Sequence, residues 1–218
     1  MLQFLDYIGV FVFAATGAIA ASRKRLDIIG FLFLATLTGV GGGTFRDIVL
    51  GVPVFWVKES QYIVVCTSAA IIVFFTAHLF ESRYRLLLWL DAMGLAAYCV
   101  MGAAKALSLG VNPTIAVVMG GLTATFGGIL RDIIANEPSV LMRREIYVTS
   151  ALMGAICFVA ASVARVPSHF AMAVGVIVAF TIRGGAIQFG WSLPSYKARI
   201  GRNEDELKKI GVLRSDDE

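Results

Sequence analysis

The chain has 218 residues, of which 58% are hydrophobic and only 16% charged, with a mean hydropathy of +0.79. A soluble domain is about 25% charged, so an ordinary one is excluded. The formal net charge of +4 says little about nucleic acid, and no nucleic-acid partner is expected.

The apolar residues are bunched into runs at residues 4–21, 28–50, 62–80, 86–106, 114–135, 147–164 and 170–189. Each is close to the roughly 20 residues a helix needs to cross a bilayer. Several are apolar on every face, which suits lipid or a buried bundle. The alternation of membrane-barrel strands is absent. The expected fold is an all-α integral membrane protein with seven transmembrane helices and the lipid bilayer as its surroundings.

The first run ends in small residues, ATGAIAAS, as a secretory signal would. A signal carries its bases before the apolar run. Here residues 1–6 hold none, and Arg23-Lys24-Arg25 follow. A retained helix with its N-terminus outside is predicted. The other loops agree. Arg83 and Arg85 lie between the third and fourth runs, and Arg143 and Arg144 between the fifth and sixth. Six more bases, from Lys197 to Arg214, occupy the tail, whereas the opposite loops hold only Lys58 and Arg165. Cytoplasmic loops collect Lys and Arg, so the C-terminus is expected inside.

The second run contains GVGGGTFRDIVLGVP, which joins a glycine triplet to an Arg–Asp pair. A shift of 85 residues finds a second copy. Asp6 maps to Asp91, Gly9 to Gly94, Gly17 to Gly102 and Gly42-Gly43 to Gly127-Gly128. Arg46-Asp47-Ile48 maps to Arg131-Asp132-Ile133, Pro53 to Pro138 and Tyr62 to Tyr147. Each copy holds three spans, an odd number, so the second enters the membrane from the opposite side. Inverted repeats of this kind place transport sites at their interface near the midplane. The predicted units are a first repeat (1–84), an inverted second repeat (85–167), a seventh helix outside the repeat (168–190) and a cytoplasmic tail (191–218).

Glycine costs a helix interior about 1 kcal/mol relative to alanine. Gly41, Gly42 and Gly43, and their counterparts Gly127 and Gly128, are therefore predicted to kink or unwind the second and fifth spans. Freed carbonyls would replace part of a cation's hydration shell, and freed N–H groups would favour an anion. Thr36, Thr38, Thr44, Thr123 and Thr125 are expected to line a polar path beside these breaks. The alternative is that the glycines only let helices approach closely.

An Arg or Asp at a membrane helix centre costs about 2.5–3.5 kcal/mol on insertion scales. Adjacent helical residues do not face one another, so Arg46 is expected to pair with another helix rather than with Asp47. The repeat suggests two bridges, Asp6–Arg46 and Asp91–Arg131, one at each mouth of a central path, with Asp47 and Asp132 beside them. The alternative is that the charges snorkel and anchor the helices. Lys105 either snorkels or faces the path. Arg183 is expected to reach the cytoplasmic face. His78 and His169 have no ligating cluster around them, and Cys66, Cys99 and Cys157 read as packing residues. No nucleophile-and-base pair or P-loop is present, so no enzyme activity and no cofactor are predicted.

GVGGGTFRDIVLGVP and ATFGGILRDIIANEP, on two three-helix repeats followed by a seventh helix, resemble the prokaryotic trimeric intracellular cation channels. The resemblance covers nearly all of residues 6–189. It implies a homotrimer in a bacterial or archaeal inner membrane, with one pore per protomer. It implies permeation by K⁺ or Na⁺, mainly K⁺, with transient K⁺ near Gly41, Gly42, Gly127 and Gly128. Animal members carry Lys-Glu-Val in the second helix and bind phosphoinositide. This chain has Arg46-Asp47-Ile48 there, so lipid-dependent gating does not carry over. The same bacterial family resembles proteins assigned to glycine uptake, which keeps a small-amino-acid carrier open as the alternative.

Overall fold

A computed structural model describes residues 2–80, 82–139 and 146–194, without the side chains of residues 2–5. Arg143, Arg144 and the tail bases lie outside the described residues. The helices are α1 (Leu2–Arg23), α2 (Ile28–Val49), α3 (Phe55–Lys58), α4 (Gln61–Thr76), α5 (Arg83–Ser108), α6 (Pro113–Ile134), α7 (Val148–Val163) and α8 (Ser168–Phe189). A 3₁₀ turn, Ala77–Leu79, extends α4. Among the described residues, five segments are long and apolar enough to cross a membrane: α2, α4 with its 3₁₀ turn, α5, α6 and α8. α7 is a shorter apolar helix. The seven predicted runs thus correspond to α1, α2, α4, α5, α6, α7 and α8.

Local chemistry sets the helix ends. Asp27 accepts a hydrogen bond from the Gly30 N–H and caps α2. Ser82 does the same for α5 through Arg85, and Asn112 caps α6 with Pro113 in its first turn. These are residues favoured at helix starts, because each supplies an oxygen to an otherwise unpaired N–H, and proline has no N–H to waste there.

Helices α1, α2 and α4 pack together, as do α5, α6 and α7, and α8 packs on α5 and α7. The two triplets join through α1 against α5 and α2 against α6. Glycine contacts show their symmetry. A Cβ on Gly9 would strike the Tyr98 ring, and one on Gly94 would strike the Phe13 ring. The shift of 85 turns Gly9 into Gly94 and Phe13 into Tyr98, so one contact is the other with its partners exchanged. Within each triplet, Gly17 lies against the Leu34 carbonyl and Thr38, and Gly102 against the Met119 carbonyl and Thr123. These pairs also differ by 85. The core they enclose is rich in alanine, with Val10, Phe13, Leu34, Leu95 and Val100 among its larger members. Small residues let backbones approach where solvent provides no hydrophobic push.

Candidate functional site

The α2–α6 crossing is the centre of the molecule. A Cβ on Gly42 would fall on the Thr123 carbonyl oxygen, and one on Gly127 on the Thr38 carbonyl oxygen. Position 38 opposes 127 and position 42 opposes 123, so the helices run antiparallel. Their C-terminal ends, with Arg46-Asp47 and Arg131-Asp132, therefore lie on opposite sides of the crossing.

The glycines do not unwind either helix. α2 is continuous from Ile28 to Val49 and α6 from Pro113 to Ile134. The prediction of freed carbonyls and N–H groups at Gly41, Gly42, Gly43, Gly127 and Gly128 is corrected. Intrinsic propensity loses here to packing, because only glycine lets two backbones touch. Gly41 meets the Gly127 Cα at 3.6 Å from its would-be Cβ. Gly43 and Gly128 instead make room for Phe55 and Tyr147.

The chain breaks several residues later. The Gly51 N–H donates to the Ile48 carbonyl and the Val52 N–H to the Asp47 carbonyl. In the second copy Asn136 donates to Ile133 and Glu137 to Asp132. Both are Schellman closures, which need a left-handed residue just past the helix. Gly51 has φ 67° and Asn136 φ 47°. Asn is one of the few side-chain-bearing residues that tolerates that region. The Arg–Asp pairs therefore sit in the last turns, where a cation is favoured by the helix dipole.

The threonines are tied to their own helices. Thr38, Thr44, Thr123 and Thr125 each donate to the carbonyl four residues earlier, at 2.6–2.9 Å. Thr44 also accepts from the Trp56 indole at 2.8 Å. Thr36 is half-buried on α2.

At the α2 end, Arg46 Nε donates to Asp47 Oδ1 at 2.8 Å. The expectation that Arg46 avoids its neighbour is corrected: the arginine stem is long enough to fold back along the helix end. Asp47 is fully buried. It also takes Lys105 Nζ at 2.9 Å and the Phe55 N–H at 2.9 Å, which fixes α3. Lys105 thus points inward to a partner rather than only snorkelling. Asp6 does not form the predicted bridge to Arg46. It accepts from Tyr62 Oη at 2.7 Å and Tyr98 Oη at 3.0 Å, which satisfy it without a cation. Asp6, Arg46 and Lys105 nevertheless border one cavity of about 420 Å³, together with Lys58, Glu59 and Tyr62.

At the α6 end, Arg131 Nη1 donates to Asp91 at 2.7 Å and to Thr16 Oγ1 at 3.0 Å. Its Nε donates to Asp132 at 3.0 Å. The predicted Asp91–Arg131 contact is therefore present, and Asp132 joins it. Arg131, Asp91 and Tyr147 are each 1% exposed. Arg183 is fully buried with its guanidinium 5.1 Å from the Tyr147 ring centre, and its Nη1 reaches the Ile146 carbonyl at 3.4 Å. The expectation that Arg183 reaches the cytoplasmic face is corrected, because the side chain is spent inside the bundle. The shift of 85 also carries Tyr98 to Arg183, a signal visible once the repeat is extended into the last helix. Tyr62 recurs as Tyr147, but the bond of Tyr98 to Asp6 and the role of Thr16 carry no comparable sequence signal.

The cysteines are free, with Cys66 and Cys99 buried. A Cβ on Gly39 would touch Cys66 Sγ at 2.9 Å, which is a packing contact.

A family model described as a glycine transporter matches twice, over residues 3–78 and 88–163, the same interval shifted by 85. The UPF0126 inner membrane protein YadS of Escherichia coli is 39% identical over 90% of this chain and 96% of its own. A UPF0126 membrane protein of Vibrio cholerae is 37% identical over 90% of this chain and 83% of its own. The crystal structure of a trimeric intracellular cation channel orthologue from Rhodobacter sphaeroides superposes with a TM-score of 0.85. That protein is 50% identical, with 87% of this chain and 98% of the other covered. The chain therefore belongs to the prokaryotic trimeric intracellular cation channel family and is a multi-pass protein of the bacterial inner membrane.

Proposed function

We propose that this protein is a monovalent cation channel, permeable mainly to K⁺, that works as a homotrimer with one path per protomer along the α2–α6 crossing. The observation that carries the reading is the likeness to a trimeric cation channel orthologue at 50% identity, combined with two charge clusters at opposite ends of one glycine crossing. Helices α1, α2, α4, α5, α6, α7 and α8 span the membrane, with the N-terminus outside and the C-terminus cytoplasmic. The chain divides into repeats at 1–84 and 85–167, a last helix at 168–190 and a tail at 191–218. In this orientation the 420 Å³ cavity is the outer vestibule, and the buried Asp91–Arg131 cluster closes the inner end. The protein is not an enzyme.

Purified protein in planar bilayers tests this. Unitary K⁺ currents that change conductance when Gly42 or Gly127 becomes alanine support it. Saturable, electrically silent glycine uptake without unitary currents overturns it. That second outcome has its own structural motive. The vestibule sets Asp6 and Glu59 against Arg46, Lys58 and Lys105, and a zwitterion needs one charge of each sign.

A further inference from the structure

The last two helices, α7 and α8, pack tightly. A Cβ on Gly154 would meet Ala179 Cβ at 2.6 Å, and one on Gly175 would meet Phe158 Cβ at 2.9 Å. Shifted back by 85, Gly175 becomes Leu90 and Phe158 becomes Val73. There the equivalent helices, α4 and α5, make no extended contact. Leucine replaces glycine at the would-be contact and holds the helices apart, and valine replaces the phenylalanine that would fill the gap. A slot of about 240 Å³ remains among α1, α4 and α5.

Its walls are carbon, including Phe11, Ile19, Val73 and Leu90. Its rim residues Ile72 and Phe80 are exposed. Arg83 also borders it, at the loop end of α5. Arg83 Nε donates to the Ala77 carbonyl at 3.1 Å and Nη1 to the Ser22 carbonyl at 3.3 Å, which fix the guanidinium in place. No acidic side chain among the described residues pairs with it, and Nη2 makes no hydrogen bond among them. An apolar slot in a membrane protein, with an oriented arginine where the helices leave the bilayer, complements a lipid that is both acyl-chained and anionic. Arginine binds phosphate oxygens through directed, charge-assisted hydrogen bonds. A zwitterionic headgroup would bring its own ammonium against the same cation. The slot is separate from the α2–α6 crossing and independent of the transport reading.

We propose that the slot between α1, α4 and α5 binds one anionic phospholipid, with an acyl chain against Val73 and Leu90 and its phosphate on Arg83. Native mass spectrometry of the intact, delipidated assembly tests this, using phosphatidylglycerol and phosphatidylcholine of identical chains. The first phosphatidylglycerol is expected to bind at least tenfold more tightly than phosphatidylcholine. Arg83→Gln abolishes that preference. Val73→Phe, which copies the second repeat, weakens both lipids at least tenfold. Thr76→Leu narrows the slot from its rim and replaces Val73→Phe if that variant does not fold. Equal affinity for the two lipids in the unmodified protein overturns the proposal, as does undiminished phosphatidylglycerol binding in a folded slot-filled variant. Displacement of the lipid by inorganic phosphate alone would mark a simple anion site and also overturns it. Loss of the oligomer in Val73→Phe without loss of lipid would mark a neighbouring protomer as the occupant and overturns it equally.

Discussion

The two ends of the α2–α6 crossing carry the same motif and solve its electrostatics differently. Each centres on two acids and two bases, to which the α2 end adds Lys58 and Glu59 at the cavity border. At the α2 end these are Asp6 and Asp47 with Arg46 and Lys105; at the α6 end, Asp91 and Asp132 with Arg131 and Arg183. The second base comes from α5 in one case and from α8 in the other. Tyr98, which donates to Asp6, is replaced at the equivalent position by Arg183. With two hydroxyl donors, Asp6 needs no cation and stands off from Arg46 beside open space. Asp91 lacks that second phenol and pairs with Arg131 at 2.7 Å, and both are buried. The difference is visible in the phenols: Tyr62 Oη and Asp6 Oδ2 are joined at 2.7 Å, whereas Tyr147 Oη and Asp91 Oδ2 lie side by side without a bond of that quality. A repeat conserves the number of charges more readily than their pairing.

The contrast is broken most severely at Asp91. Asp91→Asn leaves Arg131 buried with half its counter-charge, and removing one partner of a buried pair costs about 3–5 kcal/mol. Thermal unfolding in detergent should show a large fall for this variant. The double change Asp91→Asn with Arg131→Gln should lose less than the sum of the two single changes, because Arg131→Gln removes the charge that Asp91→Asn strands, although it also takes the cation from Asp132. Additive losses in the double variant would contradict the pairing. Next in size are Gly42→Ala and Gly127→Ala, whose methyl groups would overlap a carbonyl oxygen on the facing helix. Overpacking of this kind costs about 1–3 kcal/mol. Gly41→Ala is the control: its Cβ would meet the flexible end of Leu130 at 3.3 Å, and it gains helix propensity, so its melting temperature should stay level or rise. Equal losses at positions 41 and 42 would remove the crossing from its central place. Smaller still is Tyr62→Phe, which deletes one of two donors to a part-buried Asp6, about 0.5–1.5 kcal/mol for one hydrogen bond. The smallest is Lys105→Gln. Its side chain is 33% exposed, and the buried Asp47 keeps Arg46 and the Phe55 N–H as partners, so the melting temperature should fall least in this series.

How far the sequence reaches can be judged residue by residue. The repeat is legible because Asp, Gly-Gly, Arg-Asp, Pro and Tyr recur in one register, and that register leads directly to Asp91–Arg131. The same register misplaces Asp6–Arg46, since it says which residues are equivalent and not which alternative donors stand nearby. The glycine clusters are legible as special positions but not in their use. Propensity describes a helix alone, and two helices in backbone contact reward what an isolated helix penalises. The Arg46–Asp47 contact is hidden behind a rule about Cβ directions, which a long, flexible arginine need not obey. Arg183 escapes any repeat that stops before the last helix, because its equivalence to Tyr98 joins a base to a phenol and leaves no matching letter.

The paired glycine contacts constrain motion as well as packing. Gly42 against Thr123 and Gly127 against Thr38 pin the two helices at two points about one turn apart. Sliding α2 along α6 by about one turn would replace Gly42 at the Thr123 carbonyl with Thr38 or Arg46, whose side chains do not fit that contact. The crossing therefore fixes the register of α2 on α6, and with it the separation of the two charged ends.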